Sequence, residues 1–160
     1  MTNFLSFTGT VTMINNFFTN ENDGCHKIIT VENGLGGIVN FVVSPSTYIV
    51  DHVALTIGDL VTGYYDGDAP AILIYPPQYP ALVMVKNSPY QNVKVDYFNQ
   101  QLVSSDGQLQ LNISPFTKIF IRNGLSFTNS PANRDLIVIY GVATKSIPAM
   151  TTPFKIIVLC

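Results

Sequence analysis

The sequence predicts an all-β fold, arranged as a sandwich or as barrels, and three observations support this prediction. Apolar residues nowhere keep the three-to-four-residue spacing of an amphipathic helix, and Pro, Gly, Asn and Thr interrupt every window. Short segments typical of strands follow one another with turn residues between them. Finally, one strand–turn–strand pattern occurs twice, roughly seventy residues apart.

The first half of the chain contains the more regular set of predicted strands. Residues 7–14 alternate polar and apolar side chains, which is typical of a strand with one buried face. A polar loop at 15–24 follows, and Asp66-Gly67-Asp68 predicts a tight turn. The strands predicted in this half are 7–14, 27–32, 38–43, 48–50, 60–65, 72–75 and 81–86.

The second half contains shorter predicted strands and a Ser-Ser-Asp-Gly turn at 104–107. Its predicted strands are 93–98, 101–103, 109–113, 118–121, 136–140 and 154–159. Together the two sets give about a dozen short strands with closely spaced turns, as in sandwiches and barrels.

The segments 41–50 and 111–120 share the pattern that repeats. Each ends a strand at Ser-Pro, because Pro cannot donate to a ladder, and each places a Thr that can bond the turn backbone. We interpret the ordered recurrence as an internal duplication, and a coincidence of ordinary β-turns is the alternative. The matched features are Gly37 with Gly107, Ser44-Pro45 with Ser114-Pro115, Thr47 with Thr117, Ile49 with Ile119, 59–61 with 135–137, Tyr64 with Tyr140, and Pro76 and Pro80 with Pro148 and Pro153.

The duplication predicts two domains, residues 1–88 and residues 89–160, and their charges differ in sign. The first carries two lysines against seven acidic residues, a net charge of −5. The second carries six basic residues against three acidic ones, a net charge of +3. Oppositely charged halves can attract each other within one chain or between copies.

Four stretches of the first half resemble small OB-like barrel domains of spore-forming Gram-positive bacteria, whose function is unknown. The resemblance covers about residues 6–86, and it depends on Gly9-Thr10-Val11, 42–47, 57–66 and 75–79. It implies a five-stranded Greek-key barrel, and it implies no activity, since this fold hosts many functions.

The second half departs from that pattern, because it lacks a Gly before Asp135 and has no Gln-Tyr pair. We therefore expect a shorter, divergent second OB-like unit. The overall prediction is two tandem OB-like units, either as separate barrels or merged into one β-sandwich.

Composition bears on location and on surface properties. Charged residues make up only 11% of the chain, against roughly 25% in typical soluble domains, so the surface is easy to bury against a partner. No apolar run reaches the roughly 18 residues of a membrane span. The first residues lack the basic and small-residue features of a signal peptide, so we expect a cytoplasmic or spore-associated protein, the latter from the resemblance.

The sequence offers no clustered chemistry for catalysis. His26 adjoins Cys25, and neighbours in one strand point to opposite faces. The cysteines and histidines lack zinc-ligand spacing, and the glycine-rich 34–37 lacks the helix and lysine of a phosphate loop. We expect no enzyme, no cofactor and no metal, and the net charge of −2 argues against nucleic acid as a partner.

Two features are candidates for contacts between molecules. The stiff stretch containing Tyr75, Pro76, Pro77 and Tyr79 is either an interaction surface or a cover for a sheet edge. The thiols of Cys25 and Cys160 are either free or cross-linked between subunits.

Two functional hypotheses follow from these features. The first is a non-enzymatic structural protein, spore- or cell-envelope-associated, that assembles as a homo-oligomer through head-to-tail contacts between its acidic and basic halves. The alternative is an OB-like module that binds an oligosaccharide or single-stranded nucleic acid.

Overall fold

The computed structural model describes residues 1–17 and 24–160. In these two stretches it contains thirteen β-strands, one turn of 3-10 helix at Val50–His52 and no α-helix. The prediction of an all-β fold is confirmed. Most of the predicted polar loop at 15–24 lies outside the described residues. No described helix is long and apolar enough to cross a membrane.

The described chain divides into two compact units, which we call the N-unit and the C-unit. The N-unit is Phe4–Asn87, and the C-unit is Ser88–Cys160 together with Met1–Asn3. The amide of Thr2 donates to Asp135 Oδ1 at 3.3 Å, which ties the first residues to the C-unit.

Seven strands form one sheet in the N-unit. They are β1 (Phe4–Asn16), β2 (Lys27–Glu32), β3 (Ile38–Val43), β4 (Tyr48–Ile49), β5 (Leu60–Asp66), β6 (Gln78–Pro80) and β7 (Val83–Lys86). Their order is β4-β7-β5-β1-β2-β3-β6. The long strand β1 pairs antiparallel with β2 on one side and with β5 on the other. This arrangement puts β1 at the centre of the sheet.

The N-unit sheet closes on itself through β6 and β7, which only two residues separate. β6 pairs in parallel with β3, and β7 pairs antiparallel with β5. Between them, Ala81 N donates to Val42 O at 2.9 Å, and Leu82 N donates to Tyr64 O at 2.8 Å. The segment 78–86 therefore pairs with β3 at its start and with β5 at its end.

The C-unit has six strands. They are β8 (Asn92–Phe98), β9 (Leu109–Leu111), β10 (Lys118–Ile121), β11 (Arg134–Tyr140), β12 (Ala149–Thr151) and β13 (Lys155–Val158). Four of them form a sheet in the order β10-β13-β11-β8, and β12 pairs in parallel with β9. Bridges from Phe98 to Ser104 and from Val103 to Gln110 connect β8 to β9.

The same pairing scheme occurs in both units. Each C-unit strand has an N-unit counterpart that pairs with equivalent neighbours in the same direction. In chain order, the counterparts of β8, β9, β10, β11, β12 and β13 are β1, β3, β4, β5, β6 and β7. The residues 103–104 stand where the N-unit has β2. The first domain therefore has a complete second strand, and the second has only a two-residue bridge there.

The Ser-Pro turns are built alike in the two units. Ser44 N donates to Thr47 Oγ1 at 3.1 Å, and this hydroxyl donates to Ala81 O at 2.8 Å. The equivalent bonds at Thr117 measure 3.3 and 2.8 Å. In both units one threonine therefore joins the turn to the segment that closes the sheet.

Each unit has its own core of mainly branched aliphatic side chains, together with one fully buried Phe. In the N-unit the ring of Phe41 lies against Gly63 of β5, where a Cβ atom would stand 2.5 Å from Phe41 Cζ. The buried members of these two core clusters are Val11, Ile29, Val31, Val39, Phe41, Val61, Ala81 and Met84 in the N-unit, and Phe98, Leu109, Leu111, Leu136, Val138, Ile156 and Val158 in the C-unit.

The strand register corrects two predicted matches between the halves. Val61 and Leu136 pair with the fourth residues of the equivalent strands β7 and β13, so 59–61 corresponds to 134–136 and not to 135–137. The first residues of β7 and β13 are equivalent, and they pair with Tyr64 and with Ile139. Tyr140 therefore corresponds to Tyr65 and not to Tyr64. Both rings pack against the core of their unit, as expected, because a one-residue slip would move a side chain to the other face.

Two predicted strands are wrong or incomplete, and two observed strands were not predicted. Residues 72–75 form no strand and are exposed. Residues 101–103 contribute only an isolated bridge at Val103. The short strands Gln78–Pro80 and Ala149–Thr151 were not predicted, since three residues show no alternation that sequence could reveal.

Candidate functional site

The most exposed apolar part of the N-unit is the connection between β5 and β6, residues 69–77, which we call the apolar loop. Leu73 is fully exposed, and Ile72, Ile74 and Tyr75 are 66%, 48% and 77% exposed. Isolated exposed apolar side chains are normal, but contiguous ones mark interaction sites. These four are consecutive in sequence.

Hydrogen bonds fix both ends of the apolar loop. At its start, Asp68 N donates to Asp66 Oδ1 at 2.9 Å, which forms the predicted tight turn. At its end, Asn40 N donates to Pro77 O at 2.9 Å, next to the pairing of β3 with β6. The loop is thereby presented from a fixed base.

The predicted interaction residues divide into two groups. Tyr75 is exposed within the apolar loop, and Pro76 and Pro77 are half-buried at its base. Tyr79 instead belongs to β6 and stacks on Tyr65, with centroids 3.9 Å apart and an interplanar angle of 2°. Burial raises the pKa of Tyr65, and the neighbouring Tyr79 raises it further. Tyr79 is therefore part of the packing of the unit.

The sequence interpretation missed Ile72, Leu73 and Ile74 as surface residues. Branched apolar residues favour strands, and this preference gave the wrong assignment. The available signal was the flanking Pro70 and Pro76, which leave only a five-residue segment without proline.

The C-unit contains an open groove of about 960 Å³, which we call the groove. It lies where the start of β8, the end of β11 and the residues around β12 meet. Its large exposed apolar side chains are Tyr90, Val142, Met150 and Phe154. None of the groove residues that the structure describes carries a charge. They are Pro89, Tyr90, Gln91, Asn92, Asn112, Gly141, Val142, Ala143, Thr144, Met150, Thr151, Thr152 and Phe154.

Residues 141–144 and 150–152 form one wall of the groove, and hydrogen bonds hold the segment that contains them. Thr144 N donates to Met150 O at 2.9 Å, and Met150 N donates to Thr144 Oγ1 at 2.8 Å. Ser146 Oγ donates to Pro148 O at 2.8 Å, and Thr151 Oγ1 donates to Val142 O at 2.7 Å. A wall fixed in this way loses little conformational freedom when the groove is filled.

The base of the groove combines an aromatic ring with amide side chains. The Phe154 ring lies against Gly141, where a Cβ atom would stand 2.8 Å from Cζ. Asn92 Nδ2 donates to Gly141 O at 3.0 Å, and Asn112 Nδ2 donates to Thr152 Oγ1 at 3.3 Å. Neither amide oxygen accepts a hydrogen bond from any residue of 1–17 or 24–160, so both are available to a bound molecule.

The two thiols are exposed and form no disulfide within the described chain. Cys25 belongs to the N-unit and Cys160 to the C-unit. His26 Nδ1 is buried and has no hydrogen-bond partner among the described residues. Residues 1–17 and 24–160 contain no group of three metal-binding side chains.

Two carboxylates of the C-unit have pKa values shifted in opposite directions. Burial raises the pKa of Asp96. Burial also acts to raise that of Asp106, but hydrogen bonds from Lys94, Ser104 and Gln108, with the charge of Lys94, outweigh it and lower the pKa. All these partners lie in one turn and the adjoining strand β8, so the cluster serves the turn.

Comparison of the chain with models of protein families, with curated proteins and with solved structures finds no match.

Proposed function

We propose that this chain is a non-enzymatic structural protein that self-assembles head to tail, and that the apolar loop is its main contact. The carrying observation is the run of four exposed apolar side chains at 72–75. Covering such a side chain contributes about 1.5–3 kcal/mol, so four of them can offset much of the cost of association.

The charges of the two units support a head-to-tail arrangement. The N-unit, with its apolar loop, carries the net charge of −5, and the C-unit carries +3. Contacts between unlike surfaces are heterologous, and they produce rings or open filaments instead of closed dimers. A spore or cell-envelope setting is proposed from the resemblance of the first half to OB-like domains.

We also propose that each unit is an OB-like barrel and that the two arose by duplication. The support is the common pairing scheme, in which β6–β7 and β12–β13 connect the outer strands. The matched threonine bonds at Thr47 and Thr117 support it further. This fold leaves the function open, so the function depends on the surfaces.

A light-scattering measurement over protein concentration tests the assembly. Substitution of Ile72 and Leu73 by Ser should raise the dissociation constant at least tenfold, since each lost burial is worth more than about 1.4 kcal/mol. The matched control replaces Ile57 and Leu35 by Ser, because these are 65% and 91% exposed on other N-unit loops. High salt should weaken the association of the unchanged chain.

Two results would refute the proposal. One is a 17.6 kDa monomer at every concentration in low salt. The other is an equal effect of the Ile57/Leu35 control, which would show that general exposed apolar area drives the association.

A ligand-binding module is the second candidate, and the groove is the observation that favours it. Tyr90 and Phe154 offer aromatic faces, and Asn92 and Asn112 offer amide oxygens, without any charged group in the lining. This chemistry suits a neutral oligosaccharide better than nucleic acid, whose phosphates need cations. Titration with neutral oligosaccharides tests it, and absence of binding across a glycan array refutes it.

A further inference from the structure

We infer that the groove of the C-unit receives the apolar loop of a second copy of this chain. The inference rests on the proposed self-assembly and specifies its contact. The loop of one copy and the groove of the next would form a heterologous contact that repeats from copy to copy.

The groove has the chemistry that an apolar segment requires. Its described lining is uncharged, and its large exposed apolar side chains are Tyr90, Val142, Met150 and Phe154. Filling it therefore desolvates no charge, which is the most expensive step in burying a surface. The volume of about 960 Å³ accommodates several side chains of the size of Leu or Tyr.

A buried loop must also satisfy its backbone. Between Ile72 and Tyr75 the structure gives one backbone bond, from Ile74 N to Ile72 O at 3.0 Å. The other amides of such a segment need partners once water is excluded. Asn92 and Asn112 line the groove, and their amide oxygens can accept hydrogen bonds from such a segment.

Charge at the edges of the two surfaces favours this occupant. Asp66 and Asp68 precede the apolar loop, and Lys145 directly follows the lining residue Thr144 outside the groove. Asp68 and Lys145 are exposed, so they can approach each other at the rim of a contact between copies. The net charges of the units are also opposite, since the N-unit carries −5 and the C-unit carries +3.

Disulfide trapping between two different chains tests the contact directly. Both chains carry Cys25→Ser and Cys160→Ser, which replace exposed thiols. One chain then carries Leu73→Cys and the other Val142→Cys, each at an exposed position. One of the two chains also carries an affinity tag, so the heterodimer differs in mass from both homodimers. After mixing and mild oxidation, we expect a cross-linked heterodimer of about twice 17.6 kDa that reductant cleaves. Because each chain has one thiol, this heterodimer can only join two copies.

The matched control replaces Leu73→Cys with Leu35→Cys, which is as accessible but lies on another loop of the N-unit. We expect at least fivefold less heterodimer from this mixture. Equal yields from the two mixtures would overturn the inference. A larger yield of Leu73→Cys homodimer than of heterodimer would also overturn it, since it would place loop against loop.

A charge exchange supplies a second readout that needs no cysteine. Lys145→Glu should weaken association in low salt several-fold, and mixing that chain with an Asp68→Lys chain should restore it. If the mixture of the two chains associates no more strongly than the Lys145→Glu chain alone, this result would count against the contact. A neutral oligosaccharide that binds and is lost in Val142→Asp, with association unchanged, would assign the groove to a glycan and overturn the inference.

The outcomes for the inference and for the proposed function can be told apart. If light scattering shows association that Ile72/Leu73 substitution abolishes, but trapping at Val142 fails, self-assembly stands and the groove is not its receptor. If no association occurs at any concentration, both the proposed function and the inference are refuted.

Discussion

Replacing Thr47 by Val should destabilise the N-unit by about 2 kcal/mol. The Thr47 hydroxyl accepts from Ser44 N at 3.1 Å and donates to Ala81 O at 2.8 Å. Valine has nearly the same shape but makes neither bond. A typical hydrogen bond contributes about 0.5–1.5 kcal/mol, and leaving a buried partner unpaired costs about 1–3 kcal/mol. Ala81 is buried, so water cannot fully replace the lost bond.

The structure provides two matched comparisons. Thr117→Val removes the equivalent pair of bonds in the C-unit, at 3.3 and 2.8 Å, and should destabilise that unit to a similar extent. Thr12→Val removes only a long bond of 3.5 Å at an exposed site of β1, so it should change stability by less than about 0.5 kcal/mol.

Thermal unfolding followed by circular dichroism measures these effects, and hydrogen exchange with mass spectrometry identifies the unit that each variant affects. For domains of this size, 2 kcal/mol corresponds to a fall in Tm of about 8–16 °C. If Thr47→Val lowers the Tm of the N-unit no more than Thr12→Val does, the Thr47 hydroxyl does not stabilise the closed sheet and the reasoning is refuted.

Three further predictions concern packing, pH and thiols. Gly63→Ala should destabilise the N-unit by about 1–3 kcal/mol, because the new Cβ would stand 2.5 Å from the buried Phe41 ring. Gly141→Ala should cost under about 1 kcal/mol, because the Phe154 ring that it meets is half-exposed. A denaturant titration in which Gly141→Ala is the more destabilising would contradict this reasoning. Asp106→Asn breaks the ion pair with Lys94 and should reduce stability at pH 7 by under about 1 kcal/mol. Because folding lowers the pKa of Asp106, its carboxylate stabilises the fold only at higher pH, and the difference between the two chains should vanish as the pH falls below about 4. A difference that does not depend on pH would be evidence against this role. Because both cysteines are exposed, mild oxidation should give reductant-sensitive dimers, and a chain that stays monomeric on a non-reducing gel would exclude a cross-link.

Much of the strand layout could be predicted from local pattern. The strands at 27–32 and 118–121 are observed with the predicted bounds, because turn residues flank each short apolar or β-branched run. The Ser-Pro turns at 44–47 and 114–117 were also predictable, because Pro and Thr determine backbone bonding within a few residues.

The remaining features depend on partners distant in sequence. The run at 72–75 has strand-like composition but no neighbouring strand to pair with, and composition alone cannot show this. The register of β11 was one residue off, because it is set by pairing with β8 and β13. The groove brings together segments near 90, 112, 142 and 152, whose proximity no local pattern reveals.

The packing of Phe41 on Gly63 has a consequence for how the two units can vary. By strand register, the equivalent C-unit residues are Leu111 and Val138, both in its core. The N-unit thus combines a large side chain, Phe41, with a glycine that has no side chain, whereas the C-unit combines two side chains of intermediate size. The Phe and Gly pair and the Leu and Val pair each place about seven side-chain heavy atoms in one layer, so neither position can change freely alone. In a library of folded variants, substitutions at positions 41 and 63 should therefore occur together. The double substitution Phe41→Leu with Gly63→Val should be tolerated, whereas Gly63→Val alone should not.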